Sequence, residues 1–80
     1  MAVEVRLERL SEQMEYGTVS RWLKREGDAV AAGEPIVEVE AEKVTVEVIA
    51  PVSGVLTSIL AVQGDEFRVE TPIALITEDA

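Results

Sequence analysis

A single lysine in an acidic setting is the residue of this chain with the clearest potential for chemistry. Lys43 is one of two lysines among 80 residues, the other being Lys24, and Glu40, Glu42 and Glu47 lie close to it in sequence. An acylated lysine can carry a covalent group whose chemistry belongs to that group rather than to the chain. Most turn lysines are only solvated charges, so the surrounding elements must distinguish the two interpretations.

The amino-acid composition excludes most catalytic chemistries. The chain has no histidine and no cysteine, so it lacks the commonest general base, the commonest metal ligand and any thiolate. Its net charge of −9 would repel a nucleic-acid backbone or an anionic membrane. No apolar run is long enough to span a bilayer, and the first residues do not resemble a signal peptide. We therefore expect a non-catalytic, cytoplasmic domain that binds neither nucleic acid nor membrane.

An internal repeat with an offset of 37 positions organises the chain. Turn residues recur at this offset in three pairs: Gly17 and Gly54, Gly27 and Gly64, Pro35 and Pro72. Each half is therefore predicted to be one copy of the same strand and turn unit, and the two copies to pack about a pseudo-two-fold axis. The same offset relates Lys43 to the chain termini, so the lysine and the termini are expected at opposite ends of the domain.

Short strands separated by turns are predicted along the whole chain. Alternating or continuous apolar residues indicate strands at 3–7, 18–25, 36–40, 44–48, 55–62 and 73–77. The strands at 36–40 and 44–48 should form a hairpin with Lys43 near its tip. Strands this short and closely spaced predict an all-β fold, a flattened sandwich or barrel. Residues 1–77 form the predicted domain, and 78–80 begin a linker or simply end the sequence.

The turn of this hairpin has an unusual composition. Residues 41–44 contain neither the glycine nor the asparagine that tight hairpins recruit for positive φ. The sequence therefore predicts a type I turn with ordinary backbone angles and with Glu42 and Lys43 exposed at its tip. Five carboxylates are expected to surround this end of the domain, namely Glu34, Glu38, Glu40, Glu42 and Glu47.

The ordered glycines, prolines and central lysine together resemble the lipoyl domains of the dihydrolipoamide acyltransferases. The resemblance covers nearly the whole chain and rests on Gly17-Thr18-Val19, Trp22-Leu23-Lys24, Glu26-Gly27-Asp28, Gly33-Glu34-Pro35, Val37-Glu38-Val39-Glu40, Lys43-Val44-Thr45-Val46-Glu47-Val48, Ala50-Pro51, Gly54-Val55-Leu56 and Gly64-Asp65. It implies two four-stranded antiparallel sheets with internal pseudo-two-fold symmetry. It also implies a lipoic acid amide on Lys43, with four flanking residues, Glu40, Ala41, Glu42 and Val44.

The resemblance further implies a swinging-arm carrier rather than an enzyme, within a longer acyltransferase. A lipoate ligase or lipoyl transferase would attach the cofactor. The other expected partners are the 2-oxo acid decarboxylase, the acyltransferase core and dihydrolipoamide dehydrogenase of a 2-oxo acid dehydrogenase complex, and the isolated domain should be monomeric. In the family, the loop matching 11–16 lies near the modified lysine. Gln13, Met14 and Glu15 are therefore candidates for partner contact, with simple packing as the alternative for Met14.

Two other functions remain open on the sequence. A biotinyl carrier domain of a carboxylase shares the fold and the exposed lysine, and Glu40-Ala41 agrees with its pattern. Its lysine is typically bracketed by methionines, whereas Glu42 and Val44 stand at those positions here. The third possibility is an unmodified packing or adaptor module, which neither ligase would label.

Overall fold

The computed structural model describes residues 1–9 and 11–78, and the fold in this part of the chain is built from β-strands without a helix. The eight strands are β1 (Ala2–Arg6), β2 (Tyr16–Trp22), β3 (Ala29–Val30), β4 (Pro35–Ala41), β5 (Val44–Ile49), β6 (Gly54–Ile59), β7 (Glu66–Arg68) and β8 (Pro72–Glu78). They form two four-stranded antiparallel sheets, ordered β1-β8-β6-β3 and β5-β4-β2-β7. Overall extents of 37 × 21 × 17 Å confirm the predicted flattened sandwich. The described residues contain no helix long and apolar enough to cross a membrane.

The internal repeat relates one sheet to the other. An offset of 37 positions carries β4 onto β8 from end to end, and it superimposes β2 on β6 and β3 on β7 with small differences in length. The two sheet orders then correspond strand for strand, with β1 as the counterpart of β5. The predicted pseudo-two-fold arrangement is therefore confirmed.

The lysine hairpin and the chain ends lie at opposite ends of the sandwich. β5 leads away from the hairpin for six residues, a distance of about 20 Å. The next strand, β6, begins at Gly54, whose partner on β8 is Glu78. The backbone N–H of Glu78 in turn donates to the carbonyl oxygen of Met1 (2.9 Å). The two ends of the described chain therefore lie side by side, far from Lys43.

Several boundaries differ from the predicted ones. β3 and β7 were not predicted, because strands of two and three residues carry no readable alternation. β2 begins at Tyr16 and ends at Trp22, and β6 ends at Ile59 rather than Val62. β8 includes Glu78, one residue beyond the predicted end of the domain. The rest of the predicted linker, 79–80, lies outside the described residues.

The core fills the space between the two sheets. Buried residues alternate along most of the strands, although two adjacent residues are buried near the start of both β4 and β8. The buried set consists of Val5, Leu7, Met14, Val19, Val30, Ile36, Val37, Val39, Ala41, Val48, Ala50, Leu56, Ala61, Phe67, Val69, Ile73, Ala74 and Ile76. Trp22 packs against this core, and its indole N–H donates to the carbonyl oxygen of Ala61 (2.8 Å). Burial of such aliphatic side chains contributes about 1.5–3 kcal/mol each. β4 supplies several of them, so the strand that leads to Lys43 is firmly held.

Candidate functional site

Lys43 lies at the tip of the β4–β5 hairpin. The two strands stay paired up to Ala41 and Val44, which leaves Glu42 and Lys43 as a two-residue loop. Ala41 is buried at the base of this loop, whereas Glu42, Lys43 and Val44 are exposed. The hairpin therefore presents the lysine side chain to solvent from a well-anchored pair of strands, at the position predicted from the sequence.

The turn itself differs from the predicted type I turn. Glu42 and Lys43 have φ angles of 51° and 67°, so both residues are left-handed, as in a type I′ turn. The type I prediction was wrong because a two-residue loop must match the right-handed twist of its strands, which types I and II do not. The left-handed conformation costs about 1 kcal/mol for each of these residues. The ladder between β4 and β5 compensates for that cost and fixes the direction of the lysine.

The loop between β1 and β2 touches the hairpin tip. The hydroxyl of Ser11 donates to Oε1 of Glu42 (2.9 Å), although the two residues are far apart in sequence. This contact agrees with the expectation that the 11–16 loop lies near the lysine. Ser11 was not among the predicted site residues; its only sequence signal was its place in that loop.

Three residues of this loop were candidates for partner contact. Gln13 and Glu15 are exposed and stay candidates. Met14 is only 2% exposed and belongs to the core, and its backbone N–H donates to the carbonyl oxygen of Ser11 (3.2 Å). Packing, the alternative considered for Met14, is therefore its role in the described structure, and the buried side chain does not offer a contact surface.

Carboxylates surround the Lys43 end less completely than predicted. Glu40 is exposed on β4, two residues before the tip, and pairs across the sheet with Thr45. Glu38 and Glu47 face each other further down the hairpin, and Glu38 forms an ion pair with Arg21 (3.4 Å). Glu34 was wrongly assigned to this end. It precedes β4, a strand of seven residues, and therefore lies about 20 Å away from the tip.

The amine of Lys43 is available to a modifying enzyme. Within residues 1–9 and 11–78, the four ion pairs involve Arg6, Arg9, Arg21 and Lys24, and none involves Lys43. Lys24 is instead paired with Glu34 (3.3 Å). The described residues contain no cluster of metal-binding side chains. The arrangement can therefore display a covalently attached group.

Comparisons with known proteins agree with this geometry. A protein called "Pyruvate dehydrogenase E1 component subunit beta" from Rhizobium meliloti is 45% identical over 80 residues, covering 99% of this chain and 17% of its own length. A dihydrolipoyllysine-residue succinyltransferase component of 2-oxoglutarate dehydrogenase complex from Staphylococcus saprophyticus is 45% identical over 75 residues, covering 94% of this chain and 18% of its own length. The chain thus spans less than a fifth of either curated relative.

The fold also matches a solved lipoyl domain. The solution structure of the lipoyl domain of the 2-oxoglutarate dehydrogenase complex from Azotobacter vinelandii superimposes with a TM-score of 0.74 and 32% identity, covering 95% of this chain and 99% of that one. A family model described as "Biotin-requiring enzyme", the biotin and lipoyl model, matches residues 3–76. The chain therefore belongs to the family of biotin and lipoyl domains.

Proposed function

We propose that this domain is a lipoyl carrier and that Lys43 is the residue that bears the lipoyl group. The observation that carries the proposal is the exposed lysine, free of ion pairs among the described residues, at the tip of a two-residue hairpin loop. Support for lipoate rather than biotin comes from the lipoyl-domain structure at 32% identity and from Glu42 and Val44, which stand where biotinyl domains typically have methionine.

Attachment would form one amide bond. Nζ of Lys43, after loss of a proton, attacks the activated carboxyl carbon of lipoate, and the activating group leaves. Among the described residues no carboxylate forms an ion pair with Nζ, and we propose that the ligase or transferase supplies both the proton acceptor and the activated acid. When bound, lipoate supplies a disulfide that accepts an acyl group together with reducing equivalents. The chain's own contribution is to hold and orient the attachment point.

The proposed partners follow from the carrier role. A 2-oxo acid decarboxylase would load the domain, an acyltransferase core would unload it and dihydrolipoamide dehydrogenase would reoxidise it. The relatives named above are components of pyruvate and 2-oxoglutarate dehydrogenase systems. We therefore propose that the longer protein is a component of such a complex, namely its dihydrolipoamide acyltransferase, in the cytoplasm. A carrier must bring its covalent group to active sites that are far apart. An attachment point far from the chain ends is compatible with this role, because a tether at those ends leaves the group exposed.

The intact mass of the chain tests the assignment. Separate incubations with a lipoate ligase plus lipoate and with a biotin ligase plus biotin should give one lipoyl increment and no biotinyl increment. Lys43→Arg keeps the charge and should abolish the increment. Lys24→Arg is the matched control, because it changes the other lysine while it can retain the ion pair with Glu34, and it should be labelled normally.

Each other outcome points to a different function. A biotinyl increment would indicate carboxylase chemistry, and the absence of both increments would favour an unmodified packing module. Lipoylation that survives in Lys43→Arg would refute the proposed site. Exchanging the residues at 42 and 43 tests position: the lysine then leaves its place at the tip, and labelling should fall, because strand and turn side chains change direction from one residue to the next.

A further inference from the structure

A groove separates the free edges of β1 and β5, the outermost strands of the two sheets. It has a volume of about 600 Å³ and is lined by residues of both strands, by residues of the segments that follow them, and by Glu70. Among the described strands, β1 pairs only with β8 and β5 only with β4. Each strand therefore keeps one side of its backbone without a strand partner, which is the arrangement that accepts an added strand.

Apolar side chains are accessible along this groove. Ile49 is 52% exposed, and Val46 is partly buried against the core. Both line the groove, as does the buried Leu7. The residues of the hairpin tip, 41–44, do not line it, so the groove is separate from the proposed lipoyl site.

The charge of the groove is strongly acidic. Its lining includes four carboxylates and one cation, which are Glu4, Glu8, Glu47, Glu70 and Arg6. Arg6 is already engaged, since it forms an ion pair with Glu4 and donates to the carbonyl oxygen of Glu70 (3.3 Å). Among the described residues, Glu8 and Glu47 have no ion pair. The negative charges of these two lining residues are therefore not neutralised by an ion pair.

The repeat places like charges on both sides of the groove. Glu4 pairs with Leu75 and Glu47 pairs with Glu38, and these two partners are themselves equivalent under the 37-position offset. Glu4 and Glu47 are thus counterparts on the two edge strands. A second copy of this chain would bring the same carboxylates against each other, and is therefore a poor occupant.

We propose that the groove binds an extended, lysine- or arginine-rich segment of a partner protein, which adds a strand to the free edge of β5. Backbone hydrogen bonds to β5 would provide affinity that does not depend on sequence. Successive residues of β5 point to opposite faces, with Val46 inward and Glu47 and Ile49 outward. Alternate side chains of the segment would divide in the same way: apolar ones over Val46, cationic ones toward Glu47 and Glu8. Charge complementarity selects the basic segment over an acidic one.

The experiment uses the 80-residue chain, labelled with ¹⁵N, and short fluorescent peptides at low ionic strength. The probe alternates lysine with valine; a second peptide has glutamate for lysine, and a third has proline at alternate positions, which removes backbone donors. The first peptide should bind and shift amide resonances of β1 and β5. The glutamate peptide should not bind, and the proline peptide should bind more weakly.

Charge reversal then tests the residues. The double variant Glu8→Lys, Glu47→Lys should weaken binding of the lysine peptide about tenfold, as expected for two surface ion pairs made repulsive. Glu66→Lys is the matched control, because Glu66 is exposed on the edge strand β7 of the same sheet; it should leave binding nearly unchanged. Equal weakening by the control, shifts confined to residues that do not line the groove, or undiminished binding of the proline peptide would overturn the proposal.

Discussion

The glycines Gly17 and Gly54 are equivalent in the repeat, yet they should respond differently to the same substitution. A methyl group added at Gly17 would meet only side-chain atoms: Cδ2 of Leu7 at 3.0 Å, Cγ1 of Val39 at 3.0 Å and Cζ of Phe67 at 3.1 Å. These neighbours can shift by a few tenths of an ångström. A methyl group at Gly54 would overlap the carbonyl oxygen of Thr77 and lie 3.0 Å from Cα of Glu78. That obstacle is the backbone of β8, which cannot yield without loss of strand pairing.

These contacts predict different losses in the free energy of unfolding for the two variants. Gly17→Ala overpacks the core and should lower the free energy of unfolding by about 1–2 kcal/mol, which corresponds to roughly 4–8 °C in Tm for each kcal/mol. Gly54→Ala must disrupt the β6–β8 ladder and should cost about 4 kcal/mol or more. An 80-residue domain has a total stability of about 4–12 kcal/mol. The Gly54 variant should therefore lose about a third or more of the total stability, and at the lower end of the range it would be unfolded at room temperature.

Urea unfolding followed by the fluorescence of Trp22, the single tryptophan, measures both changes. Far-ultraviolet circular dichroism should give the same midpoints if unfolding is two-state. Gly27→Ala serves as a control, since a methyl group there meets no atom within 4 Å but the residue has a φ of 96°. It should cost about 1 kcal/mol from backbone conformation alone. If Gly54→Ala lost no more stability than Gly17→Ala, the argument from backbone overlap would be refuted.

Two further predictions concern left-handed glutamates and the hairpin tip. Glu70→Asn, at a left-handed glutamate with φ 67°, should raise the free energy of unfolding by about 0.5 kcal/mol, because asparagine tolerates a left-handed φ better than glutamate does. Glu42→Asn at the tip should gain less, because it also removes the carboxylate that accepts from Ser11. Urea unfolding measures both changes, and a loss of stability in Glu70→Asn would contradict the φ assignment. Ser11→Ala removes the hydroxyl that binds Glu42 and should lower kcat/KM for lipoylation about two- to fivefold, the equivalent of a hydrogen bond worth about 0.5–1 kcal/mol. Ser53→Ala, which removes a hydroxyl that accepts from the N–H of Ala32, is the control far from the tip and should leave that rate unchanged.

The features that the sequence predicted correctly are those that depend on alternating residues and on the internal repeat. Valine alternates with glutamate before Lys43 and with threonine and glutamate after it, so the two strands and the position of their turn followed directly. The repeated glycines and prolines fixed the equivalence of the halves, and hence the two similar sheets. That equivalence also located the lysine at the end opposite the termini, which no single segment of the sequence indicates.

The features that the sequence did not predict depend on pairing between segments. Glutamate and lysine have no preference for left-handed φ, so the backbone at residues 42–43 is imposed by the register of β4 and β5 rather than by local propensity. The bond from Ser11 to Glu42 joins residues 31 positions apart, beyond the reach of any periodicity. Glu34 was misplaced because it is close to Lys43 in sequence, whereas the extended strand β4, seven residues long, separates it from the tip.

The hydrogen bond between Glu78 and Met1 makes the end of the sandwich opposite Lys43 an open copy of the lysine hairpin. Glu78 occupies the position that Ala41 has in the other repeat, and Met1 lies next to it as Val44 lies next to Ala41. Replacing Asp79-Ala80 by Glu-Lys, joining that lysine to Met1 and opening the ring at another loop would give a circular permutant with a lysine at each pole. Such a molecule would carry two covalent groups about 37 Å apart, at the two ends of the longest axis. The symmetry of the fold therefore allows a carrier with two attachment sites to be engineered.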